Sequence, residues 1–404
     1  MAEDVALRAP ETWRGAAAQA YDRWSGYEAR AAAELDAALR RAEAEIARAG
    51  PGLAERLAAI ELPAAVAPGA PPAPAPRAPA PRAPAPRTPS AVARDRDNRA
   101  RLAADLQRLR SGGRLSAAQR RLLATAESVA GRLAELDRTV DPSTGAPVPV
   151  HLLTYDPHAF RGDGAVVVAI GDLAAADHVG VLVPGMGTTA GSLGAVGGGA
   201  AQLYAAARRA DPGAAVATVA WIGYDAPSGR GALAQVSTTR SAERGAALLR
   251  DDLAALGRLS PAGSRTVVFG HSYGSTTAAI AGRGGALSGT VDAMVLFGSP
   301  GTGPVHRAAE LGLAEGVYVA RDPDDPVPPG TFLARALGVA LGAAPGLTGF
   351  GVGNDPAAES FGAKAITVEG PTGPRGAHSG YLDPDSPALA EFGRVLAGRS
   401  GDAG

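Results

Sequence analysis

The stretch Val267–Val268–Phe269–Gly270–His271–Ser272–Tyr273–Gly274–Ser275–Thr276–Thr277–Ala278–Ala279–Ile280 decides how the rest of this chain is read. Three apolar, β-prone residues lead into a Gly-x-Ser-x-Gly turn, and an Ala-rich run follows it. The pattern reads as a short buried strand, a sharp turn and the start of a helix. Such a turn lifts the serine hydroxyl clear of the backbone on either side. Glycines two residues before and two after keep Cβ atoms out of the bend. Ser272 is therefore a candidate nucleophile toward a carbonyl carbon. The chain has 54 Gly in 404 residues, so composition alone can produce the pentapeptide. The surrounding sequence has to carry the argument.

From about residue 150 onward, short β-rich runs alternate with Ala/Leu-rich helical stretches. The runs are 151–155, 165–170, 179–183, 215–221, 266–269, 292–297, 316–320 and 364–368. Helical spacing occupies 190–210, 241–257, 273–282 and 387–398. Alternation of this kind predicts a mostly parallel sheet with helices on both faces. The short link near 160–164 predicts an antiparallel hairpin for the first pair. Eight strands with the serine turn after the fifth is the order of the α/β-hydrolase fold. The fold class expected is thus α/β, an eight-stranded mostly parallel sheet preceded by a helical N-terminal extension.

Four segments follow from the change of texture. Residues 1–62 are Ala-rich with helical spacing of Leu35, Leu39, Ile46, Leu53, Leu57 and Ile60, broken at Gly50–Pro51–Gly52. Residues 63–90 alternate Pro and Ala, with Arg77, Arg82 and Arg87 at a five-residue period. On a polyproline II rod of three residues per turn that period spreads the arginines around the axis, which favours a semi-rigid spacer over a basic recognition stripe. Residues 91–140 return to helix, divided at Ser111–Gly112–Gly113, with Leu102, Leu106, Leu109, Leu122, Leu123, Val129, Leu133 and Leu136 as its apolar positions. Residues 145–404 form the hydrolase-like domain.

Composition closes several doors. Apolar residues make up 46% of the chain and the mean hydropathy is near zero, as in a globular core. The formal net charge is −1, and acids interleave with the arginines of 91–140, so a nucleic-acid partner is not expected. With no Cys there is neither a thiolate nucleophile nor a Cys-ligated metal site, and no metal or cofactor is expected. No apolar run is long enough to span a bilayer, and Met1–Pro10 lacks the pattern of a Sec signal. The expected location is cytoplasmic, with export by a route without a Sec signal as the alternative.

A serine hydroxyl needs a base, and the base needs an acid to set its tautomer. In this fold the chain order is Ser, then Asp or Glu, then His. Of six His, only His306 and His378 follow Ser272 at a distance, and His306 precedes every acid near the seventh strand. His378, in a loop after the last strand, is the predicted base. His271 belongs to the turn itself and is expected to pack beside the site or touch substrate. The acid falls in Arg321–Asp322–Pro323–Asp324–Asp325–Pro326–Val327–Pro328. The Asp-x-Val-Pro run favours Asp325, with Asp322 and Asp324 as competitors and turn-forming Asp as their alternative role. Two N–H donors should face the oxyanion: Tyr273, after the nucleophile, and Met186, in the loop after the third strand. That loop also fits a Gly-x-Gly-x-x-Ala dinucleotide fingerprint, but Pro184 precedes its first glycine and the next strand ends at Trp221 without an acid for a ribose. Residues 326–363 carry Phe332, Leu333, Leu337, Val339 and Leu341 at helical spacing, read as packing or a cap rather than a mobile lid.

With these residues in view, the chain from about 95 to 398 resembles an α/β-hydrolase family, mostly actinobacterial and long catalogued as a domain of unknown function. The matching blocks are His178–Val179–Gly180–Val181–Leu182–Val183–Pro184–Gly185–Met186–Gly187–Thr188–Thr189, Trp221–Ile222–Gly223–Tyr224–Asp225–Ala226–Pro227, Gly270–His271–Ser272–Tyr273–Gly274–Ser275, Gly298–Ser299–Pro300–Gly301, Asp325–Pro326–Val327, Phe361–Gly362–Ala363, and His378 with Tyr381. The resemblance implies a Ser–Asp–His hydrolase without an organic cofactor, and it supplies no substrate. The Trp221–Pro227 loop is expected over the same end of the sheet as Ser272, which makes Tyr224 and Asp225 substrate-contact candidates. Trp13–Arg14–Gly15–Ala16–Ala17 before a long Ala-rich helix is similar to the WxG-type hairpins of type VII secretion and implies a partner of that system; a plain amphipathic helix is the alternative. The function expected is a serine hydrolase acting on small-molecule or lipid carboxylic esters through an acyl-enzyme. The alternative is a binding or secretion-associated protein that keeps the fold without turnover.

Overall fold

The computed structural model describes residues 89–229, 232–236, 239–325, 327, 352–366, 368 and 376–400. The helices expected in 1–62, the Pro-rich spacer, the WxG-like segment and the apolar run at 332–341 lie outside the described residues.

Two helices open the described chain. Helix α1 (Ala91–Ser111) starts at Ser90, whose hydroxyl accepts the Ala93 N–H. Helix α2 (Ala117–Leu136) starts with a reciprocal capping box between Ser116 and Gln119. Strands β1 (Val150–Asp156) and β2 (Ala165–Ile170) form the antiparallel hairpin. Then follow β3 (His178–Val183), α3 (Leu193–Ala210), β4 (Val216–Ile222), α4 (Ala232–Val236), α5 (Arg240–Gly257), β5 (Arg265–His271) and α6 (Tyr273–Gly282). Strands β6 (Ala293–Phe297), β7 (Gly316–Ala320) and β8 (Lys364–Ile366) come next, and α7 (Gly376–Ser379) and α8 (Pro387–Leu396) end the fold.

The strands make one sheet in the order β1-β2-β4-β3-β5-β6-β7-β8. Pairs β1–β2 and β2–β4 are antiparallel, and β3–β4, β3–β5, β5–β6, β6–β7 and β7–β8 are parallel. The crossed-over order of β3 and β4 and the antiparallel second strand are those of the α/β-hydrolase fold.

The period-two alternation of strand side chains divides the core between the two faces. Val216, Ala220, Ile222, Val267 and Phe269 join Val129 and Leu133 of α2, Leu203 of α3 and Phe392 of α8 on one face. Ala217, Val219, Trp221 and Val268 join Ala246, Leu249 and Leu253 of α5 and Ala279 of α6 on the other. Helices α2, α3 and α8 thus cover one side, and α5 and α6 the other. Residues 91–140 are part of this packing rather than an appendage. Helix α1 lies along the edge strand β1 and occupies its outward hydrogen-bonding groups: Asp95 Oδ1 accepts the Leu152 N–H at 2.7 Å, and Asn98 Nδ2 donates to the Leu152 carbonyl at 3.0 Å. Polar side chains from a helix therefore blunt an edge that another strand could otherwise extend. Among the described residues no helix is long and apolar enough to cross a membrane.

Helices α3 and α8 meet backbone to backbone at one glycine. A Cβ added at Gly393 would stand 2.6 Å from the Ala206 carbonyl carbon, whereas one added at Gly198 of α3 meets nothing within 4 Å. Gly393→Ala is expected to lower stability by about 1–3 kcal/mol through overpacking. Gly198→Ala is expected to raise it by about 0.5–1 kcal/mol, because the helix gains Ala propensity at no steric cost. Urea denaturation of the two variants checks the opposite signs.

Candidate active site

The parallel strands end level with one another, and the candidate residues follow their C-terminal ends. Val183 pairs with Gly270, His271 with Phe297, and Phe297 with Ala320. The hydrogen bonding continues one residue past the strands: Ser272 N–H donates to the Phe297 carbonyl at 3.0 Å, and Gly298 N–H to the Ala320 carbonyl at 3.2 Å. Ser272 and Gly298 are thereby fixed side by side before any side chain contributes.

Ser272 has φ 52° and ψ −130°, one of three described non-glycine residues with positive φ. A side chain in such a region costs on the order of 1–3 kcal/mol and persists only where its surroundings dictate it. They do so here. A Cβ at Gly270 would stand 2.7 Å from the Ser275 Cα, and one at Gly274 would run into the carbonyls of Val183 and Pro184. The turn is pressed against both its own helix and the end of β3. The Ser275 hydroxyl secures it from below, donating to the Ser272 carbonyl at 2.6 Å and lying 2.6 Å from Ser299 Oγ.

The structure brings three of the candidate side chains into a line. His378 Nε2 lies 3.0 Å from Ser272 Oγ. His378 Nδ1 lies 2.9 Å from Asp325 Oδ1 and 3.0 Å from Oδ2. Gly298, at φ 55°, forms the floor beneath the pair: a Cβ there would sit 3.2 Å from both Asp325 Oδ2 and His378 Nδ1. The Asp325 side chain is 2% exposed. Burial pushes its carboxyl up, but the hydrogen bonds from His378, the Val327 N–H and Tyr381 outweigh burial and hold it below the usual carboxylate range. Asp322 and Asp324 do not reach His378. Asp322 Oδ1 instead accepts the Asp324 N–H at 2.9 Å in a local turn, and Asp324 is exposed.

His271 turns away from Ser272. Its Nε2 lies 2.8 Å from the His378 carbonyl oxygen, and its ring stacks on Phe297 at 5.0 Å. A carbonyl can only accept, so Nε2 carries the proton. Burial, reinforced by the neighbouring His378, lowers the His271 pKa to about 4. His271 thus holds the backbone of His378.

The loop after β3 lies against Ser272. A Cβ at Gly185 would stand 2.7 Å from the Ser272 Cβ, so Met186 follows directly at this contact. Among the described residues the Met186 N–H has no hydrogen-bond acceptor. The Gly187 N–H donates to the Pro227 carbonyl at 2.8 Å, which ties this loop to the one after β4. Tyr273 is the first residue of α6; its ring is buried and its hydroxyl accepts the Ala242 N–H at 3.2 Å. Burial raises its phenol pKa to about 12.

Tyr224 is not presented to a substrate. It is 2% exposed, stacks on Trp221 at 5.7 Å and donates to the Pro184 carbonyl at 2.8 Å. Its role is to anchor the start of the β3 loop, so the substrate-contact assignment fails on burial. Asp225 is engaged as well: its Oδ2 accepts from Arg161 at 2.8 Å. The contacts that sequence reasoning missed are the His271 hold on His378, the Gly298 floor, the Ser275–Ser299 pair and a hydrogen bond from Tyr381 to Asp325. The expectation that His271 packs beside the site, and the presence of Ser275, Gly298, Ser299 and Tyr381 in the blocks quoted above, were the signals that pointed toward them. Among the described residues no group of three or more His, Asp or Glu side chains converges as a metal site.

A family model described as Alpha/beta hydrolase matches residues 156–334. The uncharacterized protein Rv2079 of Mycobacterium tuberculosis (strain ATCC 25618 / H37Rv) is 36% identical over 290 residues, which cover 66% of this chain and 42% of that protein. The uncharacterized protein Rv0963c of the same strain is 37% identical over 159 residues, covering 37% of this chain and 56% of that protein. The chain thus spans less than two thirds of either curated relative. The crystal structure of esterase LipW from Mycobacterium marinum shares 16% identity at a TM-score of 0.35, over 74% of this chain and 90% of that one. Strand order and family model together give the chain an α/β-hydrolase fold.

The lowered pKa of His271 couples this region to acid stability. Its folded pKa of about 4 lies below the ordinary 6.5, so the unfolded chain binds the proton first. The stability held by neutral His271 is fully present above pH 6.5 and is lost as pH falls through 4. His271→Gln keeps a donor for the His378 carbonyl but does not titrate. Its urea midpoint is expected to fall less steeply than wild type between pH 6.5 and 4, with the decline below pH 4 retained.

Proposed function

We propose that this protein is a serine hydrolase that cleaves carboxylic esters through an acyl-enzyme. The observation that carries the reading is the 3.0 Å approach of His378 Nε2 to the hydroxyl of a serine held at positive φ. In this reading Asp325 keeps the Nδ1 proton on His378 and stabilises the imidazolium, leaving Nε2 free to accept the Ser272 proton. Ser272 Oγ attacks the ester carbonyl carbon. The Met186 and Tyr273 N–H groups take the developing oxyanion. His378 then returns the proton to the departing alkoxide, and the acyl group stays on Ser272. Water, deprotonated by His378, attacks the acyl-enzyme and releases the acid.

Esters are preferred to amides on leaving-group grounds, since an alkoxide departs with less help from a proton donor than an amine. Small-molecule and lipid esters both satisfy this chemistry. A panel of short and long acyl esters, thioesters and amides separates them, with ester turnover above the Ser272→Ala background as the expected result.

A fluorophosphonate probe is expected to label wild-type protein at Ser272 and to leave Ser272→Ala unlabelled. A folded wild type that takes no label refutes the assignment. Asp325→Asn is expected to lower kcat by about a thousandfold or more, because the amide no longer fixes the His378 tautomer. Asp322→Asn, which disturbs only a turn, is expected to cost less than tenfold. Ester kinetics on the two variants makes the comparison, and the reverse order reassigns the acid.

A further inference from the structure

Tyr381 lies on the 3-10 turn Gly380–Leu382, directly after α7, and is 3% exposed. Its hydroxyl sits between two aspartates. It donates to Asp325 Oδ2 at 2.9 Å and accepts the Asp322 N–H at 2.8 Å. A backbone N–H can only donate, so the phenol accepts there and its single proton is directed to the ionised carboxylate. Phe297 holds the ring edge-on at 5.5 Å, and the His271 ring lies at 6.4 Å. One turn of chain, from His378 to Tyr381, therefore grips the same carboxylate twice: once through the imidazole and once through the phenol.

We propose that Tyr381 is a positioning residue of this site, whose hydroxyl fixes the rotation of Asp325 and draws charge from it, and so sets how strongly Asp325 holds the His378 proton. The proposal rests on the hydrolase reading for its kinetic consequence, but its physical content does not need turnover. A carboxylate offers about four acceptor positions. Three donors occupy them here: His378 Nδ1, the Val327 N–H at Oδ1 and the Tyr381 O–H at Oδ2. A charge-assisted O–H···O⁻ bond is among the stronger ones available. Without it, Asp325 keeps more negative charge for His378 and is free to rotate. The first effect tightens the hydrogen bond from His378 Nδ1 to Asp325; the second weakens the orientation of His378. The titratable groups around the phenol are Asp322, Asp325, His271 and His378. Burial, reinforced by Asp325, keeps the phenol protonated far above neutrality, so the donor is constant through the working range.

The test is Tyr381→Phe, which keeps the ring and its packing on Phe297. Two readouts are taken on folded protein. The first is the low-field imidazole N–H proton resonance of His378, identified by its loss in His378→Gln and followed against pH. The second is ester kinetics across the same range. Expected are a downfield move of that resonance, as Asp325 binds the Nδ1 proton more strongly, and a fall in kcat of about tenfold with KM within twofold. In an Asp325→Asn background the same substitution is expected to cost less than twofold, because the carboxylate it acts on is gone. An unmoved resonance overturns the proposal. So does a kcat loss that persists undiminished in the Asp325→Asn background. If wild type takes no fluorophosphonate label, the hydrolase reading fails, while the resonance shift still decides the role of Tyr381.

Discussion

A serine forced into a backbone conformation that its side chain disfavours is the constraint around which this molecule is arranged. The positive φ of Ser272 is imposed from three sides: by α6 through Gly270, by the end of β3 through Gly274, and by β6 through the bond from the Ser272 N–H to the Phe297 carbonyl. Two of these contacts come from neighbouring strands of the sheet and one from the helix that follows the turn. The strain of about 1–3 kcal/mol is therefore sustained by the packing of the whole core and not by the turn itself. A sheet with level C-terminal strand ends, held by two layers of helices, is what makes such a turn sustainable.

The second theme is a buried negative charge. Asp325 is removed from water, and a carboxylate so placed stays ionised only if donors replace its hydration. The chain supplies those donors from two separate regions: the loop after β7 gives the Val327 N–H, and the turn ending at Tyr381 gives an imidazole and a phenol. His378 is fixed in turn at its backbone by His271, the residue before Ser272. Ser272, His378 and Asp325 thus constrain one another through backbone as well as side-chain contacts. This reciprocity defines the geometry even though 53 residues separate Asp325 from His378.

Much of the fold was legible because strands and helices announce themselves locally. The apolar runs at 165–170 and 316–320 coincide with β2 and β7 to the residue, and the Ala/Leu spacing of 190–210 covers α3 with the short 3-10 turn before it. Periodicity and glycine placement carry that information within a few residues. Tyr224 shows where such reading stops. Its block lies beside the site loops in space, as expected, yet its side chain turns inward onto Trp221. No local pattern in Trp221–Ile222–Gly223–Tyr224 separates a tyrosine that lines a cleft from one that anchors a loop to Pro184.

The sequence by itself determined the elements, their order and the chemistry available: a serine between glycines after an apolar strand, one histidine near the end of the chain, and a cluster of three aspartates between them. Those are properties of short windows and of chain order. Only the tertiary structure decided which aspartate faces His378, that His271 holds a backbone carbonyl, that Gly298 floors the site and that Tyr381 shares the Asp325 carboxylate. These are contacts between residues up to 107 positions apart. They depend on the level ends of parallel strands and on which way each loop leaves the sheet. Burial and direction arise from packing, and a linear pattern of residue types contains neither.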